Sequence, residues 1–132
     1  MKKILLLALS VLMLNVPVQA NQEAKEIVYY GFDPDIVTNY ISGNKRSLGY
    51  IRITAELMIS DKKYLKTIEH HEPLLLDTII GIVSKQPEDK IKSLTGREEI
   101  RLTILQQLQQ VIRRETGDPI IQDLLFTKYL YQ

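Results

Sequence analysis

Residues Leu48–Ser60 constrain the fold more than any other stretch of the chain. Ile51, Ile53, Ala55, Leu57 and Ile59 alternate with Arg52, Thr54 and Glu56, and a period of two marks a strand with one buried face and one wet face. At ~3.3 Å per residue such a strand extends about 40 Å, roughly twice the usual length, and is expected to outrun its own sheet. Its apolar side must be covered by the rest of the chain.

Ile27–Phe32 and Ile36–Ile41 read as two shorter strands separated by Asp33-Pro34-Asp35. Ser42-Gly43-Asn44-Lys45 follows with turn chemistry that predicts a hairpin into the long strand. From Asp61 the period becomes helical. A first helix spans Lys63–His70, and Glu72-Pro73 opens a second with Pro73 at its first position, running to about Ser84. Successive residues turn by about 100°, so Leu75, Leu76, Ile79, Ile80, Ile82 and Val83 form a stripe that packs on the sheet, with Asp77, Gly81 and Ser84 opposite.

Thr95-Gly96-Arg97-Glu98 matches a capping box, the Thr95 hydroxyl serving one end and Glu98 reaching back. It predicts a third helix from Gly96 to about Arg114 with the apolar stripe Ile100, Ile104, Leu105, Leu108, Val111 and Ile112. Arg101 projects within the same arc, and a charge there needs a partner. Thr116-Gly117-Asp118-Pro119 ends the helix, and Ile120–Tyr131 forms a last strand. The order β-β-β-α-α-α-β predicts an α+β domain, a mainly antiparallel sheet with three helices on one face. The terminal strand inserts beside or between the early ones.

The N-terminus carries an address. Lys2-Lys3, the apolar run Ile4–Leu14 and the small-residue ending Val18-Gln19-Ala20 make the three-part pattern of a secretory signal peptide, cleaved after Ala20. A short membrane anchor is the alternative, but Ile4–Leu14 is eleven residues against about 20 for a span. Both readings put residues 21–132 outside the cytoplasm, as one domain of 112 residues. Without Lys2 and Lys3 the basic count is 15 against 16 acidic residues, a near-neutral balance without clusters that argues against nucleic acid. Cysteine is absent, so in an oxidising compartment the fold relies on its core, and thiolate, Cys-metal and disulfide chemistry are excluded.

Catalytic patterns are weak. His70-His71, between Glu69 and Glu72, is adjacent rather than at the i,i+3 or i,i+4 spacing that ligates a metal, and reads as a polar helix end. Ser84, Asp77 and His71 lie within fourteen positions, yet no nucleophile-elbow motif surrounds Ser84. Glu88-Asp89 follows Pro87 in a loop as solvating charge. The glycines form no phosphate loop. Seven tyrosines against two phenylalanines and no tryptophan suit half-buried sheet faces and also protein interfaces. Gln106-Gln107 and Gln109-Gln110 read as a solvated helix side, with a partner-facing side as the alternative.

Four segments in order resemble the flagellar basal-body-associated FliL family: Leu48-Gly49-Tyr50-Ile51-Arg52-Ile53-Thr54-Ala55-Glu56-Leu57; Pro73-Leu74-Leu75-Leu76-Asp77-Thr78-Ile79-Ile80-Gly81-Ile82-Val83-Ser84; Leu94-Thr95-Gly96-Arg97-Glu98-Glu99-Ile100-Arg101; and Leu124-Leu125-Phe126-Thr127-Lys128-Tyr129-Leu130-Tyr131-Gln132. The resemblance covers most of residues 27–132. It implies a non-catalytic, cofactor-free periplasmic domain of stomatin/prohibitin type that self-associates into an arc or ring. It also implies a place beside the MotA–MotB stator at the inner membrane, supporting torque, swimming, swarming and chemotaxis. Asp77, Arg101, Phe126 and Thr127 match family positions. Each also has a structural reading, in which Asp77 pairs with Arg101 to orient the helices and Phe126 belongs to the core. Where the family commonly has Arg-Asp in the second helix this chain has Leu76-Asp77, and the family's cytoplasmic tail and membrane span have no counterpart here. The rival classes are a free periplasmic binding or chaperone-like module and a small secreted hydrolase.

Overall fold

The long alternating segment becomes β3, Gly49–Ile59, and every other strand pairs with it. The structure, a computed structural model, describes residues 24–43 and 47–132. The signal-peptide reading of residues 1–20 and the turn residues Asn44 and Lys45 lie outside the described residues.

β1, Val28–Gly31, sets Val28 opposite Ile59 and Gly31 opposite Glu56, while β2, Ile36–Tyr40, sets Ile36 opposite Ile53 and Tyr40 opposite Gly49. Both run antiparallel to β3 and take successive stretches of it, so they share one edge as a single strand interrupted at Asp33-Pro34-Asp35. The predicted hairpin from β2 into β3 is present. β4, Ile121–Tyr131, takes the other edge of β3, from Ile51 opposite Tyr131 to Ile59 opposite Ile121. The last strand therefore lies beside the early ones, across β3 from them.

The expected overhang of the long strand does not exist. Gly49 and Tyr50 pair with Tyr40 and Asn39, and Tyr50 also exchanges backbone hydrogen bonds with Gln132. A buried backbone donor or acceptor left unpaired costs about as much as a lost hydrogen bond, and here both edges of β3 are used to avoid that cost.

After a 3-10 turn at Lys62–Tyr64, capped by Asp61 accepting from the Lys63 amide at 3.0 Å, come α1 Leu65–His70, α2 Glu72–Val83, α3 Glu88–Lys92 and α4 Leu94–Thr116. Pro73 falls in the first turn of α2. The helical count exceeds the expected three, because Glu88-Asp89 opens α3 rather than a loop. Its acidic first turn and basic last turn complement the helix dipole, and a lone buried Ile91 offers no periodicity in the sequence.

The capping box is also corrected. Ser93, in extended conformation between α3 and α4, is the residue whose Oγ accepts from the Gly96 amide at 2.9 Å, so the helix starts two residues before Gly96. Thr95 lies within the first turn, and Glu98 turns to Arg101 instead. At the other end Gly117 takes the left-handed conformation, φ 81°, and its N–H donates to the Arg113 carbonyl at 2.8 Å.

One core joins these elements. Ile51, Ile53, Ala55, Leu57 and Ile59 of β3 meet Leu75, Ile79 and Val83 of α2 and Ile100, Ile104, Leu108 and Ile112 of α4, all buried. Leu76, Ile82 and Leu105 pack partly against it, whereas Ile80 of the predicted stripe is exposed. The opposite sheet face is wet. It displays Tyr29, Val37, Tyr50 and Leu130, each about half exposed. Leu57→Ala in the centre of this core is expected to cost about 2–5 kcal/mol. Val37→Ala on the open face should stay within about 0.5 kcal/mol, both read by denaturant unfolding.

Candidate functional site

Of the family-matching positions, Arg101 and Phe126 meet where the first turns of α4 reach β4, with Thr127 next along the strand, whereas Asp77 lies apart on α2. The Arg101 Nε and Nη2 grip Glu98 at 2.8 and 2.6 Å, and its Nη1 donates to Asp123 Oδ1 at 2.8 Å and to the Leu124 carbonyl at 2.9 Å. The Leu124 amide donates to the same Asp123 Oδ1 at 2.8 Å. Arg101 is thus satisfied from two elements, and its fork geometry is the reason arginine rather than lysine suits the position. The Glu98 bonds, more than the Asp123 contact, raise the Arg101 guanidinium further above the arginine range, and Arg101 in turn lowers the Glu98 carboxyl.

The expected Asp77–Arg101 pair does not form. Asp77 lies on the exposed side of α2 and makes no ion pair among the described residues. Arg101 is directed to β4, a partner on a segment 22 residues away that helical periodicity alone does not reveal.

Close approach of α3 and α4 fixes the upper wall. A Cβ at Gly96 would lie 2.1 Å from the Lys90 carbonyl oxygen, so only glycine lets the two helices meet there. The turn carries Arg97 over the Tyr129 ring, 4.9 Å from its centroid. The Tyr129 hydroxyl donates to the Ile91 carbonyl at 2.9 Å, and burial pushes that phenol up to about 12. Phe126 is half-buried, tilted against Tyr129 at 5.5 Å, and packs on the core rather than within it. Leu94, Arg97, Glu98, Arg101, Leu125 and Phe126 line a shallow groove of about 350 Å³.

Thr127 has a different role. β4 pairs Phe126 with Ala55 and Lys128 with Thr54, leaving Thr127 as the extra residue of a β-bulge, exposed, its hydroxyl donating to the Thr54 carbonyl at 3.4 Å. At the same level Asp35, from the break between β1 and β2, accepts from the Thr54 hydroxyl at 2.7 Å and from Lys128 at 3.1 Å. Those bonds, Thr54 first, hold its carboxyl below the usual range. One carboxylate therefore ties together all three strand positions, a link that the turn-like Asp33-Pro34-Asp35 concealed.

The hydrolytic candidates separate. His71 flanks the start of α2 and Ser84 its end, about 20 Å apart along the helix. The His71 Nδ1 contacts the Thr67 carbonyl at 2.7 Å, and Tyr30 donates to Glu72. Burial, then Glu72, raises the Tyr30 phenol to about 12. Of the glutamine run, Gln109 is not simply solvated, since its amide donates to the Ile121 carbonyl at 3.0 Å.

Arg101→Ala should lower stability by about 1–3 kcal/mol, with Arg101→Lys recovering only part, and Asp77→Ala should change it by less than about 0.5 kcal/mol. The depressed carboxyls of Asp35, Glu88 and Glu98 contribute stability above the ordinary carboxyl range that is lost as pH falls through their folded values. The melting temperature of the wild type should therefore drop more steeply below about pH 4 than that of an Asp35→Asn, Glu88→Gln, Glu98→Gln variant.

Residues 29–132 match the family described as flagellar basal body-associated protein FliL. A curated relative, the flagellar protein FliL of Aquifex aeolicus (strain VF5), is 26% identical over 105 residues, covering 80% of this chain and 62% of the relative. The chain thus spans less than two thirds of that relative's length. The family match begins within β1 and takes in β2, β3, all four helices and β4, including Arg101, Asp123 and the bulge at Thr127. This chain belongs to the FliL family of flagellar basal body-associated proteins.

Proposed function

We propose that the domain is a structural, non-catalytic part of the flagellar motor, exported by its N-terminal signal and working in the periplasm through protein contacts. The observation that carries this reading is the wet sheet face opposite the helices. It presents Tyr29, Val37, Tyr50 and Leu130 half exposed on a sheet held rigid by pairing along both edges of β3. Tyrosines on a firm surface bury area at low entropic cost and are favoured at interfaces. Family membership supports the flagellar setting.

In this reading neighbouring subunits of a stomatin/prohibitin-like domain pack through sheet edge and helix face into an arc or ring. The assembly holds the periplasmic segment of a MotA–MotB-type stator and so supports torque, swimming, swarming and chemotaxis. The geometry sets the reach. The described chain enters β1 at the Ile59 end of β3, and the β2–β3 hairpin lies at the Gly49 end, about 30 Å away at ~3.3 Å per residue. No helix among the described residues is long and apolar enough to cross a membrane.

Clean deletion of the gene should reduce swimming and swarming together with stator occupancy, and a plasmid copy should restore them. Normal motility with normal occupancy contradicts the proposal. Intact-mass measurement of the exported protein should give a chain beginning at Asn21; a retained Met1 replaces cleavage with anchoring.

A further inference from the structure

β4 is an edge strand whose two halves are treated differently. Tyr50 and Gln132 exchange both backbone bonds, and Phe32 donates to the Ala55 carbonyl on the other side of β3. Because an antiparallel ladder alternates, the backbone groups of Leu124, Phe126, Tyr129 and Tyr131 point to the outer edge of the sheet. At Leu124 both are taken, the N–H by Asp123 and the carbonyl by Arg101, and the Ile121 carbonyl is taken by Gln109. Side chains of α4 and β4 thus stand in for a neighbouring strand along the first half. From Phe126 to Tyr131 no described residue supplies such a partner. Unpaired edge groups are a template for another strand.

We infer that the outer edge of β4 from Phe126 to Tyr131 accepts an extended segment of a partner protein as an added strand, with an acidic side chain of that segment meeting Arg97. Charge selects this occupant. Arg97 lies over Tyr129 and makes no ion pair among the described residues, its charge felt by a Glu98 that Arg101 already grips, whereas the neighbouring Lys92 and Arg101 are paired with Glu88 and Glu98. The groove beside Leu94 and Phe126 takes an apolar side chain at an alternate position of the added strand. A second copy joined edge to edge about Tyr129 would instead set two Arg97 guanidinium groups near the symmetry axis, like charge against like. The β1–β2 edge stays available for subunit packing. The inference rests on the reading of the domain as a protein-binding component.

The test uses fluorescein-labelled 12-residue peptides tiling the periplasmic segments of the host's stator and basal-body proteins, titrated by anisotropy into the purified exported chain. At least one should bind. Tyr131→Pro removes an outward N–H and leaves the ladder to β3 intact, and should weaken binding at least tenfold, with Arg97→Ala weakening it roughly tenfold and Asp77→Ala leaving it unchanged. N-methylation of alternate peptide amides should abolish binding to the unaltered protein, which covers the case of a proline variant that does not fold. The inference is overturned by an array without binders, by peptides indifferent to these changes, or by sedimentation showing a dimer of the chain that Tyr131→Pro dissolves. Normal motility of the deletion strain would remove the motor reading and leave a measured edge site standing.

Discussion

Everything in this domain depends on β3 being paired on both sides. Its eleven residues bury one face as a continuous apolar row and hydrogen-bond to an interrupted strand on one edge and a single long strand on the other. The burial of that row against α2 and α4 supplies the main driving force, since apolar area removed from water stabilises by about 25 cal/mol per Å². The pairing makes that burial possible without orphaned backbone groups. The interruption on one edge and the bulge on the other fall at the same level, around Thr54 and Ala55, and Asp35 bonds across both. The β3–β4 register shifts a second time between Met58 and Ile59, away from this carboxylate.

Arg101 acts on the next layer. Helix α4, 23 residues long, runs about as far as an eleven-residue strand, and an arginine in its apolar arc would be costly without partners. The chain meets that need with Glu98 one turn away on the same helix and with Asp123 and the Leu124 carbonyl on β4. The result locks the helix to the strand and occupies outward-facing backbone groups at Leu124. Gly96 and Ser93 set the helix start that aims Arg97 and Arg101 to this side. The motif Leu94–Arg101 therefore has a structural purpose, covering half an edge and framing the other half.

Where hydrophobic period decided structure, the sequence was readable. The alternation of β3, the stripes of α2 and α4, the Gly117 stop and the antiparallel α+β class all follow from apolar spacing and turn chemistry. What escaped lay in features without a period. α3 has five residues and one buried side chain, and the Thr95 capping box matched a pattern that Ser93 satisfies in fact. Helical spacing points Arg101 toward Asp77, whereas its real partner Asp123 depends on the register of a bulged strand, which has no period to read. Phe126 and Thr127 stand out by family likeness, whereas their differing roles, one leaning on Tyr129 and the other forming the bulge, follow only from the pairing of β4 with β3.

A FliL-family domain built this way offers a firm wet sheet face and one partly sealed edge. Among the described residues, the outer edge of β4 is sealed at Leu124 and open at Tyr129 and Tyr131. Amide hydrogen exchange on the isolated exported protein tests it directly. Leu124, Lys128 and Leu130 should be protected while Tyr129 and Tyr131 exchange fast, an alternation within one strand; equal protection across all five amides would show that the edge is not open.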